Sequence, residues 1–414
     1  MSKYSISATI IALAIIGVGI SALAQKKVWP VAPAYVNPTA PEMPLIASYA
    51  FYDTAMLVPE KFRELRTAGF NMSRQSMNEE KIQKALEAIE GTGVKMMLYS
   101  WDALNPQLTV KTIDKYKDNP NIGAYHVVDE PKMSKFPEVK RLNDLMLQAD
   151  PDGFTFSNLL PSIGAKQLEA PDYRTYVEEF VSTVNPPVIS FDCYPVKEKN
   201  GKIYVYDRYF ETLEIVADVA EKSGRPFFSY VLTTKAPSYP KQTVDFLRFQ
   251  VFTALGYGAQ GLSYFTYCLP DFDKTGEFSD SPLDREGNRT DVWYMVRDVN
   301  REIRLLEKHF LGAEVIKVSH TGRSIPTGTN YLTKLPEPFT SLTSNGEGVM
   351  VSHFKNNGRE YLLLVNRDVL NRQKVNFTKK REITRLTGDG KETPVPENDS
   401  FVILSPGGYA LYKL

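Results

Sequence analysis

Eight apolar runs of β type alternate with amphipathic helical stretches over residues 44–267, and this alternation restricts the fold more than any other sequence feature. Strands that alternate with helices indicate parallel βαβ units, and eight such strands close a barrel. An open, doubly wound sheet is the alternative, but no glycine-rich phosphate loop follows any run. The pattern therefore predicts an α/β fold, a (β/α)8 TIM barrel. The runs are Pro44–Tyr52, Phe70–Ser76, Val94–Ser100, Ile122–Val128, Phe154–Leu159, Val188–Tyr194, Pro226–Leu232 and Gly261–Tyr267.

From about Glu314 the pattern changes to short strands separated by turn sequences such as Asn356-Asn357-Gly358 and Pro406-Gly407-Gly408. This pattern is typical of an all-β module. A chain of 414 residues also suits a barrel of about 250 residues followed by a smaller unit. We therefore expect the barrel over residues 44–312 and a small β-sandwich over residues 313–414, packed against the barrel.

The N-terminus has the pattern of a targeting segment. Lys3 precedes an almost wholly apolar run, Ile6–Leu23, and small residues at Ala22 and Ala24 offer a cleavage site before Gln25. We predict a signal peptide over residues 1–24 and a leader over residues 25–43. The mature protein would then be secreted or periplasmic, without stable membrane insertion. An uncleaved anchor is the alternative, because the run approaches the roughly 20 residues that span a bilayer.

Charge and rare residues exclude several classes of partner. The 49 basic and 49 acidic residues balance, and no Lys/Arg cluster stands out, so nucleic acid is not an expected partner. The four histidines are scattered, and Cys193 and Cys268 lie at the ends of strands that are not neighbours. We therefore predict buried thiols, no metal site and no cofactor.

The carboxyl ends of the strands provide the candidate catalytic residues, because active sites of (β/α)8 barrels lie there. The fourth run ends in Asp129-Glu130-Pro131, the fifth at Asn158, and the sixth in Asp192-Cys193-Tyr194-Pro195. Cleavage of a glycosidic bond needs one carboxylic acid to protonate the leaving oxygen and a second group to stabilise or capture the oxocarbenium-like centre. The apolar run before Glu130 favours a raised pKa for this carboxyl, as a general acid requires. The alternative is a solvated acidic pair at the start of the next helix.

The fourth-run segment Asp129-Glu130-Pro131 resembles the Asn-Glu-Pro segment of clan A glycoside hydrolases, in which the Glu is the acid/base. Three further regions are similar to the family 42-type β-galactosidases, a likeness that extends over nearly the whole chain after the N-terminal segment. These regions are residues 246–265, residues 284–303, and the C-terminal stretch with Val365–Asp368 and Pro406–Gly408. The resemblance implies a retaining glycosidase acting on a carbohydrate, with Glu130 as the acid/base.

The chain departs from this family at the seventh run, where clan A enzymes carry the nucleophilic Glu. Phe227–Thr234 contains no carboxylate. Asp192 could be the nucleophile or the base for water. Alternatively, Asp129 could orient the amide of a 2-acetamido sugar while Glu130 protonates the leaving group, which resembles the substrate-assisted hexosaminidases. A third interpretation is a catalytically inactive barrel that only binds glycans, and a fourth is an unrelated barrel enzyme.

Six further residues are candidate substrate-binding groups. The aromatic residues near strand ends could stack on a sugar ring, although each could equally fill the core. His126 precedes Glu130 by four residues, which on a regular strand places both side chains on one face. The candidates are Trp101, His126, Asn158, Tyr194, Tyr264 and Tyr267.

Overall fold

The computed structural model describes residues 27–51, 53–100, 105–162, 164–270 and 276–414. Eight parallel strands form a closed barrel in which the first strand pairs with both the second and the last. The predicted TIM barrel is confirmed, and each of the eight apolar runs overlaps one of its strands. They are β1 (Leu45–Ser48), β2 (Met72–Met77), β3 (Lys95–Ser100), β4 (Ile122–Asp129), β5 (Thr155–Leu159), β6 (Ile189–Phe191), β9 (Phe227–Leu232) and β10 (Gly261–Phe265).

Helices cover the outside of the barrel. Several begin at a side chain that caps the first turn, as at Asn78, Asp172, Thr243 and Thr290. None of the helices in the described ranges is long and apolar enough to cross a membrane. The helices are α1 (Pro59–Thr67), α2 (Glu79–Ile89), α3 (Pro106–Tyr116), α4 (Phe136–Ala149), α5 (Ala165–Leu168), α6 (Tyr173–Val184), α7 (Tyr209–Ser223), α8 (Val244–Gly256) and α9 (Asp291–Phe310).

The barrel interior is filled by apolar side chains at the amino ends of the strands. Tyr35, from the segment before β1, closes this end, with its ring 5.4 Å from that of Phe154 and 6.1 Å from that of Phe228. The carboxyl ends of the strands form the opposite end of the barrel, which we call the mouth. The strands place their polar residues there.

A two-stranded hairpin, which the sequence did not predict, follows the sixth barrel strand at the mouth. Its strands are β7 (Val196–Lys199) and β8 (Lys202–Val205). The Glu198 N–H donates to the Ser238 carbonyl at 2.8 Å, which ties the hairpin to the loop after β9. The charged sequence of this hairpin lacks the apolar alternation of a buried strand.

The C-terminal region forms two facing antiparallel sheets, as the predicted sandwich requires. One has the order β11-β13-β14-β19-β16-β17 and the other the order β12-β15-β18, and apolar side chains fill the space between them. The strands are β11 (Glu314–His320), β12 (Phe339–Ser344), β13 (Val349–Asn356), β14 (Arg359–Asn366), β15 (Gln373–Lys379), β16 (Ile383–Leu386), β17 (Glu392–Val395), β18 (Phe401–Leu404) and β19 (Tyr409–Lys413).

Helix α8 joins the barrel to the sandwich. It is apolar around most of its circumference, because one face packs on the barrel and the other on the larger C-terminal sheet. The rings of Phe252 and Tyr409 stack with centroids 3.5 Å apart, and the Ser352 hydroxyl donates to the Gly256 carbonyl at 2.6 Å. One continuous apolar core therefore runs from the barrel to the face of the larger C-terminal sheet that packs on it, and a separate core fills the interior of the sandwich.

Candidate active site

Four strands on one side of the barrel bring polar side chains together at the mouth. Arg74 lies on β2, Asp129 on β4, Asn158 on β5, and Asp192 directly after β6. Arg74, Asn158 and Asp192 are buried, whereas the Asp129 side chain keeps 35% of its exposure. Because β4, β5 and β6 are consecutive in the barrel and only β3 separates β4 from β2, residues up to 118 positions apart in the chain converge on one patch.

A β-bulge in β4 decides which carboxylate points inward. His126 pairs with Phe156, but the next paired residue, Val128, lies opposite Ser157, so the register shifts by one residue. The Asp129 side chain therefore points into the barrel, as that of His126 does, and Asp129 lies opposite Asn158 on β5. The expectation that His126 and Glu130 share a strand face is thus wrong, because that expectation assumed a regular strand.

Glu130 follows the end of β4 with a left-handed backbone, at φ 47°. Its N–H donates to the Asn158 carbonyl at 2.8 Å, and the next carbonyl, that of Pro131, accepts from the Tyr176 hydroxyl at 2.6 Å. These contacts hold a conformation that non-glycine residues rarely adopt. The bulge and this turn together let two consecutive carboxyl groups face the mouth.

Arg74 neutralises Asp129 from inside the barrel. Its Nη2 donates to Asp129 Oδ2 at 3.0 Å, and its guanidinium also contacts both ring nitrogens of His126, at 3.3 and 3.0 Å. The rings of Tyr49 and Tyr99 flank the guanidinium at 5.7 and 5.4 Å. Burial raises the pKa of Asp129, but the Arg74 charge and the hydrogen bonds from Arg74 and Asn158 outweigh this effect, so the net pKa lies below its ordinary value. Asp129 is therefore ionised.

The carboxyl groups of Glu130 and Asp192 share a hydrogen bond. Burial, together with the charges of Glu130 and Asp129, raises the pKa of Asp192 well above its ordinary value. Partial desolvation and the charge of Asp129 also raise the pKa of Glu130. Two carboxyl groups in contact cannot both be ionised without strong repulsion, so this pair holds one proton.

Asn158 links Asp129 to the hydrogen-bonded pair of Glu130 and Asp192. Its Nδ2 donates to Asp192 Oδ1 at 3.2 Å, its side chain also hydrogen-bonds Asp129, and its Oδ1 accepts from the Ser190 hydroxyl at 3.3 Å. The amide thus fixes the orientation of one ionised carboxylate and of one member of the proton-sharing pair. Sequence reasoning placed Asn158 among substrate-binding groups, but in this structure its donors face protein carboxyl groups.

Glu130 and Asp192 are hydrogen-bonded to each other, whereas the two carboxyl groups of a catalytic pair are held apart, with the substrate between them. Retaining enzymes separate the two carboxyl groups by about 5–5.5 Å, and inverting enzymes by about 6.5–9.5 Å. A carboxyl that is buried and protonated is also a poor nucleophile. The geometry therefore favours Asp129 over Asp192 as the anionic group.

Of the three aromatic candidates within the described residues, Tyr194 lies at the mouth. Tyr194 is half-buried and stacks on Phe265 with ring centroids 6.2 Å apart. Tyr264 and Tyr267 are 1% and 0% exposed, so the expectation that they contact a sugar is wrong. Tyr264 points outward from β10, where its hydroxyl donates to Asn300 Oδ1 at 2.6 Å, and Tyr267 accepts from Trp293 Nε1 at 3.0 Å. Trp101 lies outside the described residues.

His126 is buried beneath the patch, and burial and the Arg74 charge hold its pKa well below its ordinary value. It is therefore neutral and supports Arg74 instead of facing a substrate.

Sequence reasoning missed Arg74. The signal was an arginine in the middle of a predicted barrel strand, because a buried arginine demands an anionic partner. No group of His, Cys, Asp and Glu side chains within the described ranges is arranged to hold a metal ion. Cys193 and Cys268 are buried.

The raised pKa of Asp192 leads to a stability prediction. A carboxyl whose pKa is raised on folding contributes stability below its unfolded pKa, near 3.8, and this contribution is lost as the pH rises through the folded value. Asp192→Asn mimics the protonated form and keeps the acceptor for Asn158. We expect its melting temperature at pH 7 to equal or exceed that of the wild type. As the pH rises above 4, the melting temperature of the variant should decline less than that of the wild type. A clear loss of stability at pH 7 in thermal unfolding would show that the Asp192 carboxylate is a stabilising anion.

The comparisons with known proteins find similarity in structure alone. No protein-family model and no curated protein matches the sequence. A β-galactosidase from Bacillus circulans sp. alkalophilus superposes with a TM-score of 0.59 and 11% identity, over 90% of this chain and 99% of that one. A catalytic mutant of a GH42 β-galactosidase from G. stearothermophilus gives 0.56 and 10%, over 90% and 98%. The chain has the fold of these glycoside hydrolases.

A β-galactosidase from Marinomonas ef1 is matched over 64% of this chain and 60% of its own length, with 12% identity and a TM-score of 0.47. Identities near 10% transfer no residue from one chain to another.

Proposed function

We propose that this protein is a glycoside hydrolase whose chemistry takes place at the barrel mouth. One observation carries the proposal: three carboxyl groups meet there, and their surroundings drive their pKa values apart. The pKa of Asp129 is lowered, whereas those of Glu130 and Asp192 are raised. Hydrolysis of a glycoside needs such a division between a proton donor and an anion.

Glu130 is the general acid in this proposal. It is the exposed member of the proton-sharing pair, whereas Asp192 is only 9% exposed behind it. A substrate at the mouth reaches Glu130 first. The shared proton, which Asp192 holds in the resting pair, passes to Glu130, and Glu130 donates it to the glycosidic oxygen as the bond breaks. The pair then regains a proton from the water that completes hydrolysis. Asp192 is a positioning residue that keeps this proton available.

Asp129 is the anion that stabilises the positive charge at the anomeric centre. Arg74 keeps it ionised, and 35% of its side chain remains exposed toward the mouth. It acts either on the anomeric carbon itself or on the amide of a 2-acetamido sugar. In both cases the Asp129 carboxylate, on β4, takes the role of the nucleophilic glutamate that clan A enzymes carry on the seventh barrel strand and that β9 lacks.

A carbohydrate substrate also fits the aromatic surroundings of the patch. The half-buried rings of Tyr194 and Phe265 lie beside each other, and Tyr49 meets Phe265 edge-on at 5.5 Å. Such rings present apolar faces to the C–H faces of a sugar. The fold shared with glycoside hydrolases supports the same class of substrate.

A panel of aryl glycosides, with and without a 2-acetamido group, tests the proposal. We expect turnover of at least one member by the wild type and none by Asp129→Asn. If Asp129 orients an acetamido group, only N-acetylhexosaminides are cleaved and a thiazoline analogue inhibits. If it acts on the anomeric carbon, 2-hydroxy sugars are cleaved. If no member of the panel is turned over while sugar binding is still measurable by calorimetry, the proposal is wrong and the protein is a glycan-binding barrel that has lost catalysis.

The apolar N-terminal segment supports an action outside the cytoplasm. Residues 1–26 lie outside the described residues, so this part of the proposal rests on the sequence pattern. We expect the mature N-terminus at about Gln25, as measured by N-terminal sequencing of protein from its native compartment. An intact Met1 in a membrane fraction would instead support an uncleaved anchor.

A further inference from the structure

A cleft with a volume of about 690 Å³ lies on the outer surface of the molecule, between the barrel and the sandwich. Its size is within the range of about 300–1,000 Å³ that ligand sites occupy. Helices α8 and α9 form one wall, and the turn between β16 and β17 forms the other. None of the candidate catalytic residues lines it. Its most frequent charged residue is arginine: Arg248, Arg297, Arg301 and Arg385.

Two of these arginines are neutralised within the protein. Arg248 binds Glu302 through two nitrogens, Nε at 3.0 Å and Nη2 at 2.5 Å, and the Tyr409 hydroxyl donates to the same carboxylate at 3.1 Å. Arg297 lies 2.7 Å from Asp298. The carboxylates of Glu302 and Asp298 are thereby occupied.

Arg301 and Arg385 differ from Arg248 and Arg297 in their electrostatic surroundings. Arg301 lies one turn after Arg297 on α9, and Arg385 lies on β16 across the cleft. In the part of the chain that the structure describes, neither forms an ion pair within 4.0 Å. Asp389, the remaining acidic residue of the cleft, pairs with Lys391 at 2.6 Å. Two guanidinium groups therefore face a shared space without a protein anion between them.

The other residues that line the cleft provide uncharged polar groups. Thr387 and Ser405 supply hydroxyls, and Gly388 lies beside Thr387. A Cβ on Gly388 would lie 3.0 Å from both the Glu302 carboxyl carbon and the Tyr409 hydroxyl, so this turn already packs closely against α9. The cleft thus has fixed walls, two unneutralised cations and several neutral hydrogen-bonding groups.

We propose that this cleft binds a segment of an acidic glycan, whose carboxylate or sulfate groups contact Arg301 and Arg385 while its hydroxyls contact the neutral lining. Guanidinium matches both anions through paired hydrogen bonds. A single small anion would leave most of the volume unfilled, whereas a short sugar chain fills it and supplies the hydroxyls. The proposal does not depend on hydrolysis at the mouth.

Calorimetry of the full chain tests the cleft with three oligosaccharides of equal length: an oligogalacturonate, a sulfated oligosaccharide and a neutral one. We expect binding of one or both acidic chains, weakened by added salt, and little binding of the neutral chain. The acidic chain that binds identifies the anion. In the double variant Arg301→Ala/Arg385→Ala the dissociation constant should rise by about tenfold or more.

Arg141→Ala is the matched control, because Arg141 is an exposed helical arginine on α4, on another face of the barrel, without an ion pair in the described structure. It should bind like the wild type. Thermal unfolding of each variant checks folding, and the pair Arg301→Gln/Arg385→Gln serves if the alanine variant is unstable. Equal affinity for neutral and acidic chains, no binding of any chain, or unchanged binding in a folded double variant would each overturn the proposal.

Discussion

Glu130→Gln should lower kcat by about 10²–10⁴-fold on glycosides with poor leaving groups, because the variant cannot protonate the departing oxygen. The loss should be smaller for nitrophenyl glycosides, whose leaving groups need little protonation. A Gln side chain has the same length as that of Glu, and both residues have the same conformational cost at a backbone φ of 47°. The melting temperature should therefore change by less than about 4 °C. Steady-state kinetics on both kinds of substrate, together with thermal unfolding, give these values.

The matched control is Glu169→Gln. Glu169 also has a left-handed backbone, at φ 57°, but lies on the surface, where it pairs with Lys132 at 3.0 Å. It should retain full activity. An equal loss for both substrate classes in Glu130→Gln would indicate that Glu130 is not the proton donor, and unchanged turnover would remove it from the mechanism.

Arg74→Met should be the most destabilising of the site variants. It leaves Asp129 without its cation and His126 without its nearest hydrogen-bonding neighbour, both inside the mouth. Breaking one partner of a buried ion pair costs about 3–5 kcal/mol, and the partial exposure of Asp129 reduces this to about 2–3 kcal/mol. Activity should fall as well, since Asp129 is then no longer held ionised. Urea unfolding at pH 7 measures the change in free energy.

The pH dependence separates this effect from simple loss of packing. The lowered pKa of Asp129 contributes stability that is present above the unfolded value of 3.8 and is lost as the pH falls through the folded value. Arg74→Met should therefore lose less stability on acidification than the wild type. Arg63→Met is the control, because the Arg63–Glu60 pair is exposed and contributes little. Equal unfolding free energies for the two variants would contradict a stabilising role of Arg74.

The sequence by itself determined the barrel and the position of Glu130. Apolar runs and amphipathic helices reflect local periodicity, and the order of strands and helices leaves few ways to bury those runs. A carboxylate directly after a barrel strand must lie at the mouth, whichever way the side chains of that strand alternate. The sandwich followed from the same reasoning, although β11, β12 and β17 were not anticipated because their alternation is weak.

The tertiary structure alone decided how the carboxyl groups divide their roles. Strand alternation shows that neighbouring side chains face opposite sides, but not which side is inward, and for this reason Tyr264 was wrongly placed at the mouth. The bulge at Val128 breaks the alternation, so no pattern in the sequence could have turned Asp129 inward. The pKa of a carboxyl depends on which charges and how much water surround it. Those surroundings come from Arg74 and Asp192, which are distant in the chain and meet Asp129 and Glu130 only when the barrel closes.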